Sequence, residues 1–373
     1  MHSVTFYNVG DADTCLIETT SSKMILFDFA DYHDATNPDE KRVALATALR
    51  DKLGSAGRTA FDVVAFTHAD DDHIHGASRF FSLTHAHAYQ GEGRIGIGEL
   101  WVPAAFIVES SDALCAEARI IQAEAQHRLV RGVGIRVFSR PAALRGWLAD
   151  CGVALEDRVA LVSDAGQVVP TFSLATDEIE FFPHSPWATQ IGPDLIVDRN
   201  RSALVLQVTF AASGSYTRLL MTADVTYEVL AQMTSVTRAH GNDERLKWDV
   251  VKVPHHCSRY SVGAIDSSGT LIADDSVDWL FSQGNQRGIL VSSSRPFPAN
   301  DYDVQPPHRD AAAFYRRKAV AIGSGRFIAT MAHPLSSRPT PLVVTIDAFG
   351  AKPNLPDTGG SATIVSMPAP RAG

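Results

Sequence analysis

The feature that most constrains this chain is an apolar strand that runs directly into a cluster of histidines and aspartates. Residues 61–67 form a compact apolar run, and His68, Asp70, Asp72 and His73 follow it at once. Imidazole and carboxylate groups are the ligands that borderline and hard divalent cations prefer. An acidic turn that caps a helix would explain one or two of these aspartates, but not the two histidines that flank them. The cluster therefore predicts a metal site at the carboxyl end of a buried strand.

Composition and charge narrow the class of protein. The 373 residues are 45% hydrophobic and 20% charged and contain no long apolar run, so we expect a globular chain without a membrane span. The four cysteines are far apart, which disfavours a disulfide framework and favours a cytoplasmic location, and the first residues lack a signal-peptide pattern. The net charge of −9 disfavours general binding to nucleic acid but is compatible with a local basic groove.

Hydrophobic periodicity divides the chain into a core, an insertion and a tail. Residues 1–80 and 178–348 read mainly as short strands with a few helices, and residues 279–282 are among the predicted strands. Residues from about 81 to 177 read as a largely helical insertion layered on this core. We expect residues 1–350 to form one domain and residues 351–373, in which Gly, Pro, Ser and Ala dominate, to form a flexible tail.

Four further segments carry the motifs of a known family in the order in which that family has them. They are Tyr-Asn-Val-Gly-Asp-Ala-Asp at 7–13, Asn-Arg-Ser-Ala-Leu-Val-Leu at 200–206, Leu-Leu-Met-Thr-Ala-Asp at 219–224 and Val-Lys-Val-Pro-His-His-Cys-Ser at 251–258. Together with the His-x-Asp-x-Asp-His cluster, they resemble the metallo-β-lactamase fold superfamily and, within it, the ComEC-like hydrolase branch. Asp70 stands where the superfamily usually has a second histidine, and Cys257 replaces a glycine of the branch. Asn8 and Asp11 are departures in the opening motif. The insertion is not covered.

The resemblance implies a fold and a set of metal ligands. The fold is an αββα sandwich, in which two sheets pack face to face with helices outside. His68, Asp70 and a later histidine would hold a first ion, while Asp72, His73 and one histidine of the 255–256 pair would hold a second. Asp224 would bridge both ions. The later histidine is assigned to His184, for which an ordinary loop histidine is the alternative. Of the pair, His255 is the favoured ligand and His256 the favoured transition-state contact, and the reverse assignment stays open.

The same resemblance implies a chemistry. Two divalent ions, zinc in the resting protein with manganese also able to support activity, would activate a water for hydrolysis, and Asp72 would orient the hydroxide. The bond cleaved would be a phosphodiester in a nucleic acid or small anionic molecule such as a nucleotide. An ester, lactone or thioester is the alternative, and a metal-free binding scaffold is the alternative of another class. Ser258, Arg259 and His308 are candidate substrate contacts, for which a solvated loop is an equal alternative.

Overall fold

The computed structural model describes residues 1–191, 197–299 and 305–355. Within these ranges the strands are β1 (His2–Phe6), β2 (Cys15–Glu18), β3 (Met24–Phe27), β4 (Ala60–Ala65), β5 (Gly96–Pro103), β6 (Ile135–Phe138), β7 (Val162–Ser163), β8 (Ile179–Ser185), β9 (Val205–Ala212), β10 (Ser215–Met221), β11 (Trp248–Lys252), β12 (Gly263–Ile265), β13 (Leu271–Ala273), β14 (Gly284–Ser292), β15 (Arg326–Ala329), β16 (Pro334–Leu335), β17 (Arg338–Pro339), β18 (Leu342–Asp347) and β19 (Gly350–Pro353).

The α-helices of the same ranges are α1 (Leu45–Ser55), α2 (Asp71–Ile74), α3 (Ala77–Phe80), α4 (Ala104–Val108), α5 (Ala116–Arg131), α6 (Ala142–Asp150), α7 (Tyr227–Ala239), α8 (Asp275–Phe281) and α9 (Arg309–Ala321). The strand predicted at residues 279–282 is wrong, because these residues end α8 and the turn that follows it. Each described helix is too short or too polar to cross a lipid bilayer.

The two large sheets pack face to face. The first has the strand order β19-β18-β1-β2-β3-β4-β5-β6-β7, and the second has the order β15-β14-β11-β10-β9-β8. Alternate residues of each strand point to opposite faces, so Ile17 and Ile25 of the first sheet meet Val208 and Leu219 of the second in a shared core. The sheets therefore form the two inner layers of the fold.

Helices cover the outer face of each sheet. On the first sheet, Leu45 and Leu49 of α1 pack with Leu26 and other strand residues, and on the second sheet the helices α7, α8 and α9 bury their apolar sides. Burial of these apolar faces is the main stabilising term of such a layered fold. The predicted αββα arrangement is confirmed.

Residues 81–177 contribute to the first sheet as well as supplying helices. The strands β5, β6 and β7 continue that sheet beyond β4, all in parallel. The helices α4, α5 and α6 lie over them, and their apolar side chains belong to the same core as those of α1. The segment is thus continuous with the first sheet rather than a layer added over it.

The chain stays regular slightly past the predicted domain end. β19 pairs with β18 in antiparallel register, so residues up to Pro353 belong to the first sheet. The rest of the predicted tail, from residue 356 onward, lies outside the described residues. The division into domain and tail stays a prediction.

Candidate metal centre

The strands bring a compact group of histidines and aspartates to one edge of the molecule. β4 ends before the 68–73 cluster, β10 ends before Asp224, and β11 ends before the 255–256 pair. Carboxyl ends of parallel strands are where open α/β sheets place their ligand sites. Ligand atoms of Asp13, His73, Asp224 and His256 all lie within 4.8 Å of one another, and all four residues are buried.

His73 is held by a carboxylate behind it. Its Nδ1 lies 2.9 Å from an Asp28 carboxylate oxygen, and Asp28 also accepts hydrogen bonds from the amide and hydroxyl of Thr67. An Nδ1–H that donates to Asp28 leaves a lone pair on Nε2. That Nε2 is buried without a hydrogen-bond partner and lies 3.5 Å from Asp224. A carboxylate–histidine pair that aims an unpartnered nitrogen at another carboxylate is typical of metal ligation.

His256 has the same arrangement with a different support. Its Nδ1 lies 2.7 Å from the main-chain carbonyl of Ser293, which can only accept, so Nδ1 donates. Its Nε2 lies 2.9 Å from Asp72 and 3.1 Å from Asp224. The Nε2 atoms of His73 and His256 therefore lie next to different carboxylate oxygens of Asp224.

The other histidine of the pair lies farther out. The Nε2 of His255 is 4.0 Å from Asp224, and its side chain is 26% exposed. His255, His256 and Cys257 have φ values of 47°, 49° and 69°, so three successive residues adopt the left-handed conformation. Strained backbone of this kind is found at functional sites, where the surrounding structure enforces it. This turn places the Nε2 of His256 closer to Asp72 and Asp224 than the Nε2 of the favoured His255, and the assignment of a ligand stays a prediction.

A buried lysine borders the cluster. The Nζ of Lys252 makes an ion pair with Asp13, lies 3.2 Å from Asp224 and donates to the carbonyl of Ala223 at 3.1 Å. Its side chain is only 3% exposed. A buried ammonium is tolerated when carboxylates surround it in this way.

Two of the residues predicted to hold a first ion, His68 and Asp70, lie next to each other, and the buried Nε2 of His68 has no hydrogen-bond partner. His68 Nε2 lies 3.4 Å from one oxygen of Asp70, while the other oxygen accepts a hydrogen bond from Arg199 at 2.7 Å. Arg199 also contacts Glu109 at 2.7 Å. The guanidinium thus joins Asp70 to Glu109.

The third predicted ligand of the first ion lies elsewhere. His184 is buried on β8, with Nδ1 3.2 Å from the Thr237 hydroxyl and Nε2 3.0 Å from the Arg245 carbonyl. Burial lowers the pKa of His184 to about 4, so the ring is neutral near pH 7. Both ring nitrogens have protein partners in this structure, so His184 does not lie with the other predicted ligands.

Electrostatics in the cluster favour a cation. Burial would lower the pKa of His73 and of His256, but the charge of Asp224 and neighbouring carboxylates raises the pKa of both well above the usual range. Burial would raise the pKa of Asp224, but His256, Lys252 and His73 lower it well below its ordinary value. The negative charge that raises these two pKa values also favours a metal ion in place of the imidazole protons. The residues present therefore fit a divalent cation.

The three candidate substrate contacts mainly support the loop after the histidine pair. The Ser258 hydroxyl accepts a hydrogen bond from the Tyr260 amide, and His308 accepts one from the Arg259 amide at 3.3 Å while being 1% exposed. Arg259 forms an ion pair with Asp310 at 2.7 Å. Arg259 also lines a cavity of about 670 Å³ with Asp310, so it retains access to a ligand, whereas Ser258 and His308 do not present an open surface.

The cluster is bordered by four residues that were not predicted as site residues from the sequence: Asp13, Asp28, Lys252 and Arg199. Asp13 and Lys252 lie inside motifs that carry the family resemblance, and a lysine that ends an apolar strand was a usable signal. Asp28 directly follows the apolar strand β3. Nothing in the local sequence indicates that Arg199 reaches Asp70, because their contact joins distant parts of the chain.

Comparison with known proteins gives remote structural likenesses. No protein-family profile matches this chain, and no curated protein matches it in sequence. A crystal structure of a new diphosphatase from the PhnP family is 10% identical with a TM-score of 0.33, and 92% of this chain and 96% of that chain are covered. The unliganded yeast protein PDE1 is 11% identical with a TM-score of 0.42, covering 88% and 97%. Both likenesses are low, and the architecture above stands on this chain's own strand pairing.

Proposed function

We propose that this chain is a metal-dependent hydrolase that cleaves phosphodiester bonds. The observation that carries the proposal is the pair of buried histidines, His73 and His256, whose Nε2 atoms converge on Asp224. A bound divalent ion supplies an activated water and polarises the phosphoryl oxygen. The sequence resemblance to the ComEC-like branch of the metallo-β-lactamase superfamily supports a phosphodiester as the bond that is attacked.

The chain's own residues have separate tasks in this proposal. Asp72 is 33% exposed, so its carboxylate faces both His256 and solvent. In the proposed reaction Asp72 orients the attacking water and accepts its proton, as a general base must. Asp224 is buried between the two histidines and Lys252, where it fixes the charge of the site.

The surroundings of the site favour a small anionic substrate over a polymer. Three arginines near the motif segments each face a carboxylate, in the pairs Arg199–Asp70, Arg259–Asp310 and Arg295–Asp11. Paired arginines attract a phosphate backbone less than a continuous basic track does. With a net charge of −9, this supports a nucleotide-like diester rather than nucleic acid. The four cysteines are free, which supports a reducing, cytoplasmic compartment as part of the proposal.

The test is a substrate screen on chelator-treated protein with zinc or manganese added back. We expect cleavage of bis-p-nitrophenyl phosphate with either metal and little turnover of p-nitrophenyl acetate or a simple lactone. Asp72→Asn should lower diester cleavage by about a hundredfold or more, the scale of general-base catalysis.

Asp71→Asn is the matched control. Asp71 is next to Asp72 but contacts Tyr32 and His75 on the surface, so its loss should leave diester cleavage unchanged. Cleavage of the ester or lactone in place of the diester would contradict the substrate class. Diester cleavage that persists in full after chelation would contradict the metal dependence.

A further inference from the structure

The structure brings together one group of ligands where the family resemblance implies two ions. Among residues 1–191, 197–299 and 305–355, the group of three or more His, Cys, Asp or Glu side chains close enough to hold a metal is Asp13, His73, Asp224 and His256. The unpartnered, fully buried Nε2 of His73 points into this group. His68 and Asp70, the ligands expected for the other ion, are outside it. The Nε2 of His68 is also buried without a hydrogen-bond partner and lies 3.4 Å from Asp70, so these two residues form a separate pair.

The carboxylate that the other ion would need, Asp70, is paired with a guanidinium. One oxygen of Asp70 accepts a hydrogen bond from Arg199 at 2.7 Å, and the same guanidinium contacts Glu109. Arginine stays charged at all relevant pH values, so Asp70 has a permanent cationic partner, which it shares with Glu109. His184, which would complete the ligands of that ion, has both ring nitrogens bonded elsewhere.

A second fixed cation borders the ligand group itself. The ammonium of Lys252 lies between Asp13 and Asp224 at the closed side of the cluster. Asp13 is thereby engaged by a protein cation. Asp72, with its Oδ2 2.9 Å from His256 and 3.8 Å from His73, is the carboxylate on the open side.

We propose that this chain binds a single divalent ion through His73, His256 and Asp224, with Asp72 on the open side, and that Arg199 and Lys252 supply the positive charge that a second ion supplies in a dinuclear site. This inference rests on the proposed hydrolase function and specifies its cofactor content. It assigns Arg199 a place beside the substrate path, because its side chain is 24% exposed while Lys252 is enclosed.

Metal content measures the inference directly. Protein dialysed against excess zinc or manganese should contain one ion per chain by elemental analysis. His73→Ala should contain close to none, and His68→Ala should still contain one. A dinuclear site gives two ions for the unmodified protein and one for each variant, and that result overturns the proposal.

A metal titration of the unmodified protein tests the same inference without relying on variants, which could fail to fold. Cobalt(II) added to metal-free protein should give visible absorption bands that reach their end point at one equivalent. An end point at two equivalents overturns the proposal whatever the variants do.

The role of Arg199 has its own test with a matched control. Arg199→Met frees Asp70 and should bind a second, weaker cobalt ion, seen as a second phase of the titration. Arg201→Met removes an exposed arginine two residues away and should keep a single phase. A single phase for Arg199→Met in folded protein would show that the guanidinium does not stand in for an ion.

The inference and the proposed function fail in different ways. Two bound ions together with diester cleavage would remove the inference and leave the hydrolase function intact. One bound ion without hydrolysis of any substrate class would support the inference on metal content and remove the proposed function.

Discussion

Asp224 contacts His73, His256 and Lys252 through its two carboxylate oxygens while being almost fully buried. We predict that Asp224→Asn abolishes most metal binding and lowers hydrolysis by about a thousandfold or more, because the metal-activated water is lost. The fold should survive, since the core is formed by apolar strand packing. Metal analysis, circular dichroism and diester assays on one sample measure this, with the exposed Asp243→Asn as control. A folded Asp224→Asn protein with full metal and turnover would contradict it.

Cys257 occupies a backbone position that suits glycine. Its φ is 69°, which costs about 1–2 kcal/mol for a residue with a Cβ, but its side chain is fully buried and stabilises by a similar amount. We predict that Cys257→Gly changes the free energy of unfolding by less than about 1 kcal/mol. Cys257→Val should destabilise by about 2 kcal/mol or more, because a branched side chain resists this conformation and overfills the core. Urea unfolding compares them, and a valine variant as stable as the glycine variant would contradict the explanation.

The proximity of Asp72, His73 and Asp224 could be anticipated at the residue scale because each follows the end of an apolar strand, although their roles in metal binding stay proposals. The choice between His255 and His256 could not be anticipated from the sequence, because it depends on three successive left-handed residues that no spacing rule reveals. Lys252 and Asp13 are brought together across the two sheets. Such a contact is set by tertiary packing and not by local sequence.

At the scale of elements, β8 contains an irregular step between Pro183 and Ser185, and His184 sits at that step. Burial lowers the pKa of His184 to about 4. Between pH 6.5 and pH 4, His184 therefore binds a proton in the unfolded chain but stays neutral in the folded chain. Stability from this group is therefore complete above pH 6.5 and lost as the pH falls towards 4. We predict that the free energy of unfolding of the unmodified protein falls by about 2 kcal/mol from pH 7 to pH 5 through this group.

His184→Gln removes the titrating ring and tests that assignment. The variant should show a shallower decline in its urea midpoint between pH 7 and pH 5, and its metal content should equal that of the unmodified protein. A loss of bound metal in folded His184→Gln protein would restore His184 as a ligand.

Most elements of the core were predictable from periodicity, and α8 shows where periodicity fails. Residues 279–282 form an apolar run that favours a strand by composition alone. The side chain of Asp274 accepts hydrogen bonds from the amides of Ser276 and Val277, which starts a helix four residues earlier. The capping signal at Asp274 was present in the sequence and outweighs the apolar run. The parallel extension β5-β6-β7 was less accessible, because its short strands alternate with longer helical patterns.

At the scale of the whole molecule, the candidate metal site ties both sheets together. Its side chains follow β4 of the first sheet and β10 and β11 of the second. We predict that zinc or manganese raises the melting temperature of chelated protein by a few degrees, since a ligand at a hundred times its dissociation constant adds about 2.7 kcal/mol to the folded state. Differential scanning calorimetry measures the shift, and His73→Ala should lack it. Equal melting temperatures with and without metal would contradict a site built between the sheets.

The pairing of β1 with β18 has a consequence for the nascent chain. β1 lies between β2 and β18, and β18 begins only at Leu342. At ordinary elongation speeds the ribosome needs on the order of tens of seconds to supply that partner. During this interval Val4 and Phe6 lie on a strand with one open edge, and open apolar edges pair with other chains. A message cut short before β18 therefore yields a polypeptide that tends to aggregate, whether or not its histidine–aspartate cluster has formed.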